Sequence, residues 1–209
     1  MASRILGLVV LALAPLAVQA QAPTGDATRG KALAYTCNGC HAIPNYKNVY
    51  PTYSVPKLHG QRPEYLVAAL KAYKSGERSH GTMHSQASSL NEQDMADVAA
   101  YLSGSEVLTA SKNDVPATQR PKATEVCLAC HGTNGVGITA DYPTIAGQHK
   151  DYIERALHDY QKGGRKNPVM AGMAATLTPA DIEQLAAYYS SQSPSLATVP
   201  KKVSFLSSN

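Results

Sequence analysis

Two five-residue stretches constrain this chain more than anything else in it. They are Cys37-Asn38-Gly39-Cys40-His41 and, ninety residues later, Cys127-Leu128-Ala129-Cys130-His131. Their four cysteines are the only ones present. Cys-x-x-Cys-His is the attachment signature of c-type haem. Two thiols at that spacing add to the two vinyl groups of one porphyrin as thioethers, and the adjacent histidine lies under the iron as its proximal ligand. A thioredoxin-like pair would not require the histidine and would sit at a strand-to-helix junction. A zinc site of two Cys-x-x-Cys pairs would leave both histidines unexplained. The sequence therefore predicts two covalently bound haem c groups, on Cys37, Cys40 and His41 and on Cys127, Cys130 and His131.

Residues 1–20 carry Arg4 and then an apolar run that closes on Val18-Gln19-Ala20. This reads as a secretory signal peptide cleaved near Ala20. The run is short for a membrane span and Pro15 interrupts it, so no stable span is expected. An exported product agrees with haem attachment in a bacterial periplasm, and the haem motifs leave no cysteine for disulfides. Without Arg4 the balance is 18 Lys and Arg against 15 Asp and Glu. Four haem propionates would turn that small excess to about −1, and there is no basic run, so a nucleic-acid partner is not expected. With no tryptophan, the core must be aliphatic, tyrosine and porphyrin. A domain of roughly ninety residues buries little apolar surface by itself.

An internal repeat decides the architecture. Beyond the haem motifs the halves align at a constant offset of 87: Leu58-His59-Gly60-Gln61 with Ile145-Ala146-Gly147-Gln148, Glu64–Tyr73 with Asp151–Tyr160, Gly76–Arg78 with Gly163–Arg165, and Leu90–Tyr101 with Leu177–Tyr188. The expected fold is all-α, with two tandem copies of one domain at 21–104 and 122–209 and a polar, Pro-bearing linker at 105–121. Asp26 is placed to cap a first helix through Leu33 and Tyr35, and 118–126 is read as its counterpart. Pro63–Tyr73 sets Leu66, Leu70 and Tyr73 on one helical face, and Gly76 suits its stop. Thr178, Pro179 and Asp181 form a capping-box start for the last helix, with Asn91 and Asp94 as the twin pair. Met95, Val98 and Leu102 are expected to face inward in the first copy, and Ile182, Leu185 and Tyr189 in the second.

The sixth iron ligand is restricted by the same repeat. Beyond the signal peptide the methionines are Met83, Met95, Met170 and Met173. Met83 aligns with Met170, Met173 with Gln86, and Met95 with Ile182, so a thioether ligand shared by both copies must be Met83 and Met170. Met173, three residues from Met170, is its competitor; Met95 reads as core. Histidine-methionine ligation favours ferrous iron and raises the potential, which suits electron transfer. His59, His80 and His84 offer bis-histidine ligation at the first haem instead. Their counterparts Ala146, Asn167 and Ala171 cannot do so at the second.

These features resemble the two-domain dihaem class I cytochromes c, specifically the cytochrome c4 family. The resemblance rests on both haem motifs, the repeated Gly-Gln before a helix, Gly76–Arg78 and Gly163–Arg165, the methionine loops, and the stretch from Leu177 to Tyr189. It implies two helical cytochrome domains related by a pseudo-twofold, with propionates facing each other across the interface. It also implies a periplasmic electron carrier, often passing electrons towards a terminal oxidase. One departure is the loop from Ala42 to Tyr53, whose Tyr46, Tyr50 and Tyr53 replace the family-like Gly132–Gly137 of the second copy and are expected to shield the first haem differently. The other departure is the set of histidines around Met83. Arg78 and Arg165 occupy equivalent places, and a guanidinium is a two-pronged, always-charged donor suited to carboxylates. They are expected to hold haem propionates.

The resulting expectation is an electron-transfer protein, not an enzyme, cycling between donor and acceptor proteins. Two alternatives stand beside it. A peroxidase-like dihaem enzyme would need one open or displaceable distal site, which loss of Met83 would create. A permanently bound cytochrome subunit of a dehydrogenase or oxidase would share every feature above.

Overall fold

Capping chemistry written into the sequence sets the helix starts. In the computed structural model, which describes residues 23–109 and 115–200, Asp26 accepts hydrogen bonds from the Thr28 and Arg29 amides at 2.8 and 3.3 Å and opens α1, Ala27–Leu33. The haem motifs form two single turns, α2 (Asn38–His41) and α6 (Leu128–His131). α3 (Pro63–Ser75) starts with proline and stops at Gly76, whose φ of 79° is the left-handed conformation that favours glycine. Its counterpart is α7, Lys150–Gln161. The methionine-bearing helices are α4 (Gly81–Ser88) and α8 (Pro168–Ala175), and the last pair is α5 (Glu92–Ser103) and α9 (Pro179–Ser190). Both predicted capping boxes are formed, by Asn91 with Asp94 and by Thr178 with Asp181.

The first helix has no true twin. Two 3-10 turns, Ala117–Gln119 and Lys122–Val126, stand in its place. Two residues explain why. Pro121 drives the preceding Arg120 into an extended conformation. Arg120 also occupies the place of Gly30, where α1 lies so close to α5 that a Cβ would meet the Asp97 carbonyl oxygen at 1.9 Å. Only glycine allows that crossing, which Arg29 then secures by ion pairs to Asp94 and Asp97.

Each half has its own apolar centre. Leu66, Leu70, Met95, Val98 and Leu102 are buried in the first, and Ile153, Leu185, Ala186, Tyr188 and Tyr189 in the second. The expected inward faces of α5 and α9 are thus observed, and Met95 is core. The covalent and packing boundaries differ, however. After α9 the chain crosses to the first half: Ala197 pairs antiparallel with His59, the Val199 amide donates to the His41 carbonyl at 3.2 Å, and Val199 is buried in the first core.

Where the halves meet, the repeat becomes a symmetric clasp. The Gln61 side chain bonds both the amide and the carbonyl of Thr144, at 2.9 and 2.8 Å. Gln148 does the same to Lys57, at 3.0 Å each way. Arg78 and Arg165 pair as antiparallel backbone, flanked by Ser79 N–H to Gly164 O at 2.7 Å and Lys166 N–H to Glu77 O at 2.9 Å. The residues of each pair sit 87 apart from their mates, so the two halves face each other about a pseudo-twofold axis.

Candidate haem sites and their interface

His41 and His131, the expected proximal ligands, are both buried, and each is held by a proline carbonyl. His41 Nδ1 lies 2.9 Å from Pro56 O, and His131 Nδ1 lies 2.9 Å from Pro143 O. A carbonyl only accepts, so Nδ1 carries the proton and Nε2 is left as the free base that binds a metal. Burial pushes both imidazoles below their usual pKa, which keeps them neutral. The cysteines are free and partly buried. Burial raises the Cys37 and Cys127 thiols, the opposite of an activated redox nucleophile. Among the described residues no three His, Cys, Asp or Glu side chains converge as a metal-ion site, so the two Cys-x-x-Cys pairs do not build a shared zinc centre.

A cavity of about 110 Å³ opens beside His131, lined by Cys127, Met170, Leu185 and Tyr189 and, from the first half, by Gln61 and Tyr65. Met170 therefore shares a cavity with His131, whereas Met173 does not line it and is 42% exposed. In the first half Met83 and Cys37 both pack, partly buried, against the same core cluster.

The methionine helices are capped differently. Asn167 Oδ1 accepts from the Met170 amide at 3.0 Å, and His80 Nδ1 accepts from the Met83 amide at 3.2 Å. The His80 Nε2–H then points at Asn48 Oδ1, 3.3 Å away, and the ring lies edge-on to Tyr53 and Tyr73. His80 is thus committed as a cap. His84 is exposed, with Nδ1 2.9 Å from Tyr73 O. His59 belongs to the strand-like pairing with Ala197. Replacing His80 by alanine is expected to cost α4 about 1 kcal/mol, whereas His80→Asn, the cap of the other half, should largely restore it. Comparing thermal unfolding of the two holoproteins at the first haem checks this.

The tyrosine loop behaves unevenly. Tyr53 is buried, against the His80 and Tyr152 rings, but Tyr46 is 42% and Tyr50 95% exposed, so only Tyr53 of the three is packed into the protein. Asp151 of the second half holds the loop, accepting from the Ser54 amide, the Ser54 hydroxyl and Lys47 Nζ at 3.1, 2.9 and 3.1 Å.

Arg78 and Arg165 meet at the interface, 8% and 7% exposed. Both donate to the Tyr152 hydroxyl, at 3.2 and 3.1 Å. Arg78 lies over Tyr73, and Arg165 over Tyr152 and Tyr160. Burial alone would raise the Tyr152 pKa, but the two guanidiniums outweigh it and bring it down to about 8. Carboxylates are nearly missing: the nearest ion pair is Arg165 Nε to Asp159 at 3.9 Å, and Arg78 has none among the described residues. Arg78 Nε is buried without a partner. Two permanent positive charges buried among phenols call for an anionic group. The residues present therefore fit haem: paired thiols, neutral imidazoles with a free nitrogen, a cavity lined by Met170 at the second motif, and buried guanidiniums able to hold acidic substituents.

The sequence singles out the cysteines, His41, His131, Met83, Met170, Arg78 and Arg165, but not Pro56, Pro143, Tyr152, the clasp of Gln61 and Gln148, the hold of Asp151 on the tyrosine loop or the His80 cap. The repeat marked both glutamines and Tyr152, paired with Tyr65, without disclosing their partners.

Comparison with known proteins agrees with this geometry. Residues 27–106 match the Cytochrome c family and residues 118–188 the family described as Cytochrome C oxidase, cbb3-type, subunit III. The chain is 39% identical over 187 residues to cytochrome c4 of Stutzerimonas stutzeri, covering 78% of this chain and 88% of that one. It is 30% identical over 198 residues to a thiosulfate dehydrogenase electron acceptor of Stutzerimonas stutzeri (strain A1501), covering 83% and 88%. The crystal structure of reduced recombinant cytochrome c4 from Pseudomonas stutzeri superposes with a TM-score of 0.63 at 29% identity, covering 81% of this chain and all of that one.

Proposed function

This chain belongs to the cytochrome c4 family, carrying two covalently bound haem c groups for electron transfer, and from that premise we propose a periplasmic shuttle whose two haems are both ligated by histidine and methionine. Met83 and Met170 are the proposed sixth ligands, and the observation that carries the reading is their equivalence. Each is the third residue of an eight-residue helix, with its amide capped from the residue before that helix. Bound haem supplies an iron that alternates between ferrous and ferric states.

The chain's own residues do the rest. Pro56 and Pro143 hold the proximal imidazoles in one tautomer. Methionine sulfur biases each site towards the ferrous state. Arg78 and Arg165 neutralise propionates at the interface, and the glutamine clasp fixes the two halves for exchange between them. The proposed partners are a donor dehydrogenase and an acceptor such as a terminal oxidase. Likeness to a thiosulfate dehydrogenase electron acceptor supports the donor side. The export signal in 1–20 lies outside the described residues. Among those described, no helix is long and apolar enough to cross a membrane.

An enzyme of the peroxidase type needs an open distal site. The ferrous holoprotein is therefore expected not to bind carbon monoxide at neutral pH, checked by the Soret difference spectrum. Binding at either haem would favour the enzymatic reading.

A further inference from the structure

In a repeat protein one half is a control for the other, and the methionine helices differ in one respect that ligation does not require. α4 and α8 have equal length, carry Met83 and Met170 at the same position, and bury Ala87 and Ala174 completely. Around them α4 presents Thr82, His84, Ser85 and Gln86, whereas α8 presents Val169, Ala171, Gly172 and Met173 at the same places. Val169 is 58% and Met173 42% exposed. An apolar patch kept in water on one copy and absent from the other is a mark of a contact surface. Methionine in it is adaptable enough for short-lived partners.

The chain segment that carries this patch has charges of one sign. Lys166 precedes α8 by two residues and is exposed; Lys162, also exposed, follows the end of α7. Gln161 pins that end to α8 and the turn after it, its Nε2–H bonding Ala174 O at 2.9 Å and Leu177 O at 3.0 Å, so Lys162 follows directly on a contact with that helix. No acidic residue occurs from Lys162 to Thr178. Neither lysine forms an ion pair among the described residues. In the first half the corresponding stretch, residues 75–91, contains Glu77 and no lysine, and the lysines of the helix before it are engaged, Lys71 with Glu92 and Lys74 with the Leu90 carbonyl.

We propose that the exposed face of α8, with Lys162 and Lys166, is the docking site for a redox protein bearing an apolar spot framed by carboxylates, so that this partner exchanges electrons with the second haem and not the first. One electron passes per encounter, one centre being oxidised as the other is reduced. The inference rests on the electron-carrier reading and on the second cavity, which α8 lines through Met170. Opposite charges speed encounter, and the apolar centre lets a complex form without strong ion pairs to break on release.

The test uses the reduced holoprotein and, as probe, an oxidised acidic single-copper protein such as plastocyanin, with stopped-flow rates at several salt concentrations. Val169→Thr with Met173→Gln gives α8 the residues of α4. The second-order rate should fall at least tenfold, with both haem potentials and the methionine-to-iron band unchanged. Lys162→Glu with Lys166→Glu should slow the reaction similarly and abolish its decline with salt. Thr82→Val with Ser85→Ala on α4 should leave the rate within twofold. Wild-type rates in the α8 variants, or equal slowing from the α4 pair, overturn the docking site while leaving the carrier reading intact. Loss of the methionine band in Met173→Gln overturns it too, by making Met173 a ligand. No transfer from the wild-type protein overturns both readings.

Discussion

Replacing Met170 by alanine is expected to lower the potential of one haem by on the order of 100 mV, within the ~0.8 V range over which axial ligands set haem potentials. It should also halve the methionine-to-iron charge-transfer intensity. The sign follows from ligand chemistry: a thioether stabilises ferrous iron, so its loss stabilises the ferric state and the potential falls. The affected haem should then bind carbon monoxide, because the cavity shared by Met170 and His131 would have lost its sixth ligand. Met173→Ala should do none of this, since Met173 is 42% exposed and does not line that cavity. A redox titration followed at the haem bands reads all three effects. Equal potentials in Met170→Ala and the wild type would remove Met170 as a ligand.

Replacing Arg165 by leucine is the second large effect. The guanidinium is buried, has a single carboxylate at 3.9 Å, and shares the Tyr152 hydroxyl with Arg78. Removing its charge should stabilise the more positive ferric state and lower the second haem's potential. Two unit charges about 10 Å apart at an effective dielectric near 20 interact by roughly 1.7 kcal/mol, equivalent to about 70 mV for one electron. Arg165→Lys keeps the charge but not the two-pronged fork, so it should recover most of the potential and little of the interface stability. An unchanged potential in Arg165→Leu would count against propionate binding.

What could be read from sequence, and what could not, divides along physical lines. The haem attachment residues were legible because covalent chemistry demands one spacing, and the capping boxes at Asn91 and Thr178 because their bonds close within four residues. The inward faces of α5 and α9 followed from helical periodicity. Contacts between the halves left no such local trace. Gln61 and Gln148 stand out as repeated, yet their partners are backbone groups of Thr144 and Lys57, which any residue could supply. The missing twin of α1 was predictable in retrospect from Pro121 and from arginine in place of Gly30. The crossing of Ala197 and Val199 to the first half was not, since a short apolar segment says nothing about which core receives it. His80 was weighed as a ligand because histidine can be one. Only the structure shows its ring spent on a helix cap and on Asn48.

The central claim is that both haems are closed by methionine. The most direct measurement is the ferric near-infrared and visible spectrum of the purified holoprotein, scaled to haem content, in the region of the weak methionine-to-iron charge-transfer band. Ligation by both Met83 and Met170 gives intensity for two haems. Intensity for one haem or none would contradict it and leave at least one site either histidine-ligated or open.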